Sequence, residues 1–559
     1  MTLNSFYQQQ MNLKSLLLFS FALLLSGCQP TPSSQTTAPE PTKEQPEFSK
    51  GALKAHIDFL ASDLLEGRET GSRGYDIAAH YVASHFAQYG LTAAGGDDSY
   101  FQSVPLRQKQ RVKDSTSLSF TQGDRTLSLS FPNDFISGVS SISTETSISA
   151  ELIFAGYGIS APQLNYDDYE QLDVTNKIVV ILSGKPSHFP SEEGAHFASR
   201  YERTKAAAKN GAIGIIYLQT PNSEKRYSYQ RVLKTIHKPS YVWLDNNNQP
   251  GDTQHQIKNS ALLNIASAKK VIAFAGKDYD QLIEQSRQKN PMEKFSLGMS
   301  ATLSSQAQHD TLHSPNVVGI VEGTDPELKN EYILYSAHLD HVGIYGHGED
   351  RIHNGAIDNA AGISIMLETA RVFAKNPPKR SIVFVAVTAE EKGLLGSNYY
   401  AHHPTVAIDK IVSVINLDMP LILYPIGDVI AFGAEHSTLG EYVQRAAEKT
   451  GLQMSPDPMP EQNIFVRSDH YSFVKQGVPA IFLMPGFKSL DSERDGEKIF
   501  REFLHEHYHQ PSDQANLPID YNSGVRFTLV NYLIGQEIAN SKTTPKWKEG
   551  DFFGDVFGR

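Results

Sequence analysis

Tyr332-Ile-Leu-Tyr-Ser-Ala337-His338-Leu339-Asp340 is an apolar run of strand length that ends in two chemically active side chains. A continuous apolar strand is buried on both faces, as strands are when helices cover both sides of a sheet. The same plan recurs downstream. The stretch 381–388 runs into Ala389-Glu390-Glu391, the stretch 410–417 runs into Asp418-Met419, and 316–321 and 480–483 read as further strands. Between them, 362–373, 395–402, 439–449 and 524–539 carry helical apolar spacing. Strands alternating with helices predict an α/β fold: a mixed, largely parallel sheet sandwiched by helices. Ligands of such sheets collect at the carboxyl ends of the strands.

Working toward the N-terminus, residues 51–65 and 74–90 show helical spacing, broken by Gly71, Ser72 and Gly74. From about 115 to 155 the pattern shifts to alternation, as in Ser117-Leu118-Ser119-Phe120 and Leu127-Ser128-Leu129-Ser130. The run 177–182 reads as a buried strand, 203–209 as a helix and 211–217 as the next strand. These shifts predict a main domain in two pieces, 51–130 and 306–545, with a smaller β-rich unit inserted at 131–305 and a tail at 546–559. No internal repeat is visible.

The chain has 559 residues, enough for two or three domains, and its 40% apolar and 20% charged residues are those of a globular protein. The formal net charge is -12, and without Lys14, the only charged side chain of the first 27 residues, it is -13. Such an acid excess argues against nucleic acid as a partner, because phosphate binding needs clustered Lys and Arg. The single cysteine, Cys28, allows no internal disulfide, so any zinc site must use His and carboxylates.

Lys14, the apolar run Leu16 to Leu25 and Leu25-Ser26-Gly27-Cys28 make a secretory signal over residues 1–27. The run is too short to span a bilayer comfortably. The Leu-Ser-Gly-Cys string resembles the bacterial lipoprotein box, which implies lipidation of Cys28 and a protein exported to the cell envelope, facing the periplasm or the exterior. Met11 serves equally well as a start. Residues 28–50, rich in Pro, Thr, Ser, Gln and Glu, read as a disordered tether.

The reactive residues follow the strands. Alternation puts His338 and Asp340 on one side of an extended segment, so that one can bind a metal while the other orients it. In Asn354-Gly-Ala-Ile-Asp358-Asn-Ala-Ala-Gly362, small residues let the backbone turn tightly, and Asp358 serves either as a helix cap or as a ligand. Glu390 and Glu391 repel each other unless a cation lies between them or they sit at an exposed helix start. His509 competes with His505 and His507 on chemistry alone. Together, two His and three carboxylates suit a pair of divalent ions about 3.5–4 Å apart, with a Glu left over as general base.

As a set, in order, these strings resemble the bacterial di-zinc aminopeptidases and their glutamate carboxypeptidase relatives: His338-Leu-Asp340-His341, Asn354 to Gly362, Ala389-Glu390-Glu391, Asn416-Leu-Asp418-Met419, Arg467-Ser468-Asp469-His470 and Tyr508-His509. His56 to Arg68 is similar to that family's opening helix and turn. Phe154-Ala-Gly-Tyr-Gly-Ile159, Tyr166-Asp-Asp-Tyr169 and 173–182 are similar to its inserted protease-associated domain. The resemblance covers about residues 50 to 540 and implies the zinc-exopeptidase fold with two Zn2+ per chain. Asp358 then bridges the metals, His338 and Asp418 complete one site, and Glu391 and His509 complete the other. Glu390 is the general base, Asp340 sits behind His338 and fixes its ring, and Arg467, Ser468 and Asp469 shape the substrate end of the pocket. Ala361 stands where the family usually has Ser, with no ligand lost, and Pro420 is unusual in the pocket wall.

The implied activity is removal of N-terminal residues from peptide substrates. A carboxypeptidase of the same family, a single-zinc transferase like glutaminyl cyclase and a non-catalytic receptor-like protein are its rivals. Oligomeric state is not readable from the sequence.

Overall fold

The computed structural model describes residues 46–289 and 291–559. The signal segment, Cys28 and nearly all of the tether lie outside the described residues. Ordered structure begins slightly earlier than residue 51. Phe48 is buried, with its ring 5.7 Å from that of Tyr532, and Ser49 caps the helix Lys50–Leu60 by accepting from the Ala52 N–H.

The main sheet runs, from one edge, Gln453–Ser455, Asp428–Phe432, Ala480–Pro485, Ile411–Asn416, Tyr332–His338, Ser381–Val387, the C-terminal part of Phe295–Val321, Phe101–Arg111 and Ser240–Trp243. The four strands from Ala480–Pro485 to Ser381–Val387 are mutually parallel, and antiparallel strands flank them. Every residue of Ser381–Val387 and Ala480–Pro485 is buried, on both alternating faces, so the sheet is covered on both sides. His338 pairs with Val387, and Ser336 with Asn416. The residues that follow these strands therefore leave the sheet at one edge, side by side.

Packing explains the register. Tyr335 stacks on Phe384 with ring centroids 5.3 Å apart, and its hydroxyl donates to the Asn531 carbonyl of helix Tyr521–Asn540. The helix comes this close because residue 535 is Gly; a Cβ there would lie 2.0 Å from the Tyr335 hydroxyl. Helix Ala361–Lys375 is buried along nearly its whole length. Its Glu368, fully buried, is tied to Arg371 at 2.7 Å and to the Ser49 N–H at 2.9 Å, so its charge is paired.

A second sheet runs Phe135–Ser137, Asn259–Leu263, Gly214–Leu218, Ile178–Leu182, Glu145–Phe154, the N-terminal part of Phe295–Val321, Ser117–Gln122 and Arg125–Leu129. It has its own buried clusters on its two faces. Strands Ser117–Gln122 and Arg125–Leu129 thus belong to the smaller unit, which moves its first boundary from the expected 131 back to about residue 112. The expected tail 546–559 is also corrected. Phe553 is fully buried, Trp547 Nε1 donates to the Gly477 carbonyl, and helix Phe552–Phe557 packs against the cores of both sheets. No helix among the described residues is long and apolar enough to cross a membrane.

Candidate active site

The reactive side chains stand on the backbone just beyond the parallel strands. His338 ends its strand, and its Nδ1 lies 3.0 Å from the Asp340 carbonyl oxygen. That contact places the ring proton on Nδ1 and turns Nε2 inward, 3.0 Å from Asp418 Oδ1 and 3.2 Å from Asp358 Oδ1. Asp418 is itself held: Ser468 Oγ donates to its Oδ2 at 2.6 Å, Asn416 Nδ2 donates to Ser468 Oγ, and Ser336 Oγ donates to Asn416 Oδ1.

Asp358 occupies the turn before helix Ala361–Lys375. Residue 355 must be Gly: its φ is 61°, and a Cβ there would meet the Asp358 carbonyl at 2.2 Å and the His341 ring at 2.7 Å. Asp358 Oδ2 faces away from His338, 3.2 Å from His509 Nε2 and 3.8 Å from His341 Nδ1. Glu391 completes that side, with Oε1 2.9 Å from His341 Nδ1 and Oε2 3.1 Å from His509 Nε2. Ala389, Met419 and His509 have φ of 55°, 42° and 55°, left-handed conformations that non-glycine residues adopt at a cost. All three lie at or beside the reactive groups.

The charges are strongly coupled. Burial acts to raise the pKa of Asp358 and Glu391, but the surrounding imidazoles outweigh it and hold both below the usual carboxylate range. Burial acts to lower His509, and Glu391 and Asp358 instead raise it to about 10. His338 is likewise raised against burial by Asp418 and Asp358. Glu390 is pushed well above its ordinary value, chiefly by burial and by the neighbouring carboxylates.

Two groups of ligand-bearing atoms result, His338–Asp358–Asp418 and His341–Asp358–Glu391, each with its atoms within 4.8 Å of one another. Asp358 is common to both. Its Oδ2, Glu391 Oε1 and both His341 nitrogens are buried without an aligned hydrogen-bond partner. Orphaned buried groups cost about 1–3 kcal/mol each, and divalent cations coordinated by nitrogen and carboxylate would satisfy them. The residues present fit such ions.

The expected residues His338, Asp358, Glu391, Asp418 and His509 therefore come together, and Glu390 lines the cavity beside them. Two expectations need correction, those for Asp340 and Asp469. The His338 ring is fixed by the backbone carbonyl of Asp340, not by its carboxylate, which instead accepts from the N–H groups of Glu390 and Glu391 at 3.0 and 3.3 Å and from the Thr70 hydroxyl. Ser468 touches the cavity but spends its hydroxyl on Asp418. Asp469 is fully buried and does not line the cavity. Arg467 is exposed and does line it. His505 is exposed, and His507 bonds Ser512, so neither competes with His509.

Sequence reasoning missed His341, Asp513 and Arg68. His341 stood inside the His-Leu-Asp-His string without a role. Asp513, fully buried, accepts from the N–H groups of Ile357 and Asp358 at 2.9 and 3.1 Å and so pins the turn that carries the shared carboxylate. The buried Arg68 guanidinium donates to the carbonyls of Leu60, Leu339, Asn354 and Gly355. Of the three, His341 stood in the His-Leu-Asp-His string and Arg68 ended the opening turn, both within matched stretches of sequence.

The cavity above these groups measures about 580 Å³, and Met419, Met459, Phe482, Met484, Phe500 and Leu504 form its apolar wall. Residues 316–533, which contain every metal-ligand candidate, match the model of peptidase family M28. The chain is 28% identical over 213 residues to a probable leucine aminopeptidase 2 of Aspergillus oryzae, covering 37% of this chain and 40% of the relative. It is 41% identical over 91 residues to aminopeptidase YwaD of Bacillus subtilis, covering 16% of this chain and 18% of the relative. The chain thus matches two-fifths or less of the length of these curated relatives. The fold extends further: the solved aminopeptidase from Aneurinibacillus sp. strain AM-1 superposes with a TM-score of 0.50 at 19% identity, over 89% of this chain and 95% of that one.

Proposed function

We propose that the protein is a zinc-dependent exopeptidase, an aminopeptidase that removes N-terminal residues from peptides, with two zinc ions per chain. One observation carries this reading: the two oxygens of Asp358 face two separate His and carboxylate groups. His338 and Asp418 would hold one ion, and Glu391 and His509 the other, with His341 beside them; bound there, the ions would supply Lewis acidity toward the scissile carbonyl and water. Glu390 is oriented by the grip of Asp340 on its backbone. It takes the proton from the attacking water and returns it to the leaving amine. The substrate's free α-amine would lie against the acidic cluster around the second ion, and the apolar wall would select an apolar N-terminal side chain.

Glu390→Gln keeps zinc, measured by elemental analysis, and loses about 10²–10⁴-fold in turnover of a leucyl anilide. Near-normal turnover would overturn the assignment of the base. Trimming of N-terminally blocked peptides from their C-termini, with no anilide hydrolysis, would instead identify a carboxypeptidase.

The second element of the reading is a lipid on Cys28 that holds the protein at the bacterial cell envelope. Its support is the string Leu25-Ser26-Gly27-Cys28 and the absence of any other cysteine. Cys28→Ser should move the protein from the membrane to the soluble fraction and remove the lipid mass from its N-terminal peptide. Retention of both would overturn the anchor.

A further inference from the structure

Beside the catalytic cavity lies a second one of about 740 Å³, built mainly by the smaller domain. Its wall includes Lys185, Arg200, Arg203, Arg226, Arg287 and Arg467 and contains no Asp or Glu. In a chain of net charge -12 this segregation is informative. Arg287 has a partner, Glu284, at 2.9 Å. Among the described residues, none of the other five cations forms an ion pair. Lys185 donates to the Pro190 and Ser191 carbonyls, Arg200 to the Ser260 hydroxyl and Arg467 to the Gln462 carbonyl.

Arg203 is the telling residue. It is only 9% exposed, its guanidinium lies 5.0 Å from the Tyr217 ring, its Nη1 donates to the Leu182 carbonyl at 3.4 Å, and its Nε is buried with no partner. A buried guanidinium without a carboxylate is costly unless an anion completes it. The planar guanidinium groups around it are suited to binding carboxylates in a bidentate manner.

Arg226, Tyr227 and Arg467 line both cavities, so the two share a wall. A peptide whose first residue fills the apolar catalytic pocket has its leaving portion free to continue past these residues. We propose that the basic cavity is a subsite for a carboxylate on the leaving side of the peptide substrate, supplied by the C-terminus or by an acidic side chain. This rests on the exopeptidase reading and adds a substrate class to it: short or acidic peptides.

The test compares kcat/KM for leucyl peptides in matched pairs, with the spacer lengthened one glycine at a time. One pair carries a C-terminal acid or amide, and the other carries Glu or Gln before a C-terminal amide. In the wild-type holoenzyme the charged member of one pair should be favoured by about tenfold or more at one spacer length, the scale of a charge-assisted hydrogen bond. The acid pair identifies the terminus as the source, and the Glu pair a side chain. In Arg203→Met, and separately in Arg200→Gln with Arg226→Gln, the preference should fall toward unity through loss of the charged substrate's kcat/KM. The exposed pair keeps the test open if Arg203→Met fails to fold. Equal rates within both pairs at every spacer length, or a preference unchanged in the variants, would overturn the subsite. Leucyl anilide hydrolysis separates the two readings: if it is absent the exopeptidase reading fails, and if it is present without charge preference only the subsite does.

Discussion

At the scale of single residues, the site is built by groups that hold the ligands as much as by the ligands. Asp513 shows this most clearly. Its carboxylate satisfies two buried N–H groups, those of Ile357 and of Asp358 itself, and so fixes where the shared carboxylate points. Asp513→Ala leaves both donors unpaired, at about 1–3 kcal/mol each, and frees the turn. Zinc affinity should fall by about 10–100-fold, the usual effect of removing a group that orients a ligand. Asp513→Asn keeps an acceptor oxygen and should recover part of that loss. Competition against a chelator of known affinity measures both; wild-type affinity in the Ala variant would show that the turn holds Asp358 without help. Asp340 acts in a similar way, through the backbone of Glu390 and Glu391. Such roles are poorly legible in sequence, because a carboxylate two residues past a strand end reads as a ligand or an orienter of the nearest His. Which backbone N–H it meets depends on a loop that returns from residue 387, some fifty positions away.

At the scale of elements, the parallel core was legible because burial on both faces leaves a continuous apolar run. The strands at 332–338, 381–387 and 411–416 were each anticipated within a residue or two. What alternation does not reveal is a strand's partner. Ser117–Gln122 and Arg125–Leu129 were read as strands but placed in the wrong domain, since their neighbours lie near residue 300. The connection is the 27-residue strand Phe295–Val321, which pairs with the small sheet at one end and the main sheet at the other. Polar residues such as Gln306, Gln308, His309 and Asp310 interrupt its apolar pattern midway, so only its last six residues stood out. Arg68 makes a comparable long-range link. It ties the opening turn to carbonyls at Leu339, Asn354 and Gly355 and, among the described residues, has no carboxylate partner, a pattern that has no local signature.

At the scale of the whole molecule, helix Ser191–Ala198 and the C-terminal segment meet at one histidine. His436 Nε2 lies 2.6 Å from Glu192 Oε2 of helix Ser191–Ala198, and its Nδ1 lies 2.6 Å from Asp551 Oδ2. Glu192, Glu435 and His436 have ligand atoms close enough for a metal, but both ring nitrogens are already engaged by carboxylate oxygens, so the geometry is that of an ion triad. Burial alone would lower the His436 pKa; hydrogen bonds donated by the ring to the Asp551 and Glu192 carboxylates raise it from 6.5 to about 10. Glu435 and Lys548 are the further charges nearby. A group raised on folding contributes stability that is fully present below its unfolded pKa and is lost as pH rises through its folded one. The triad should therefore stabilise the docked arrangement by on the order of a few kcal/mol below about pH 6.5, with the contribution fading toward pH 10. His436→Gln removes the titrating charge. The melting temperature of the variant should lie well below that of the wild type at mildly acidic pH, and the gap should close as pH rises toward 10. A gap that stays constant across that range would mean that His436 contributes packing against Phe465 and Phe553 rather than charge.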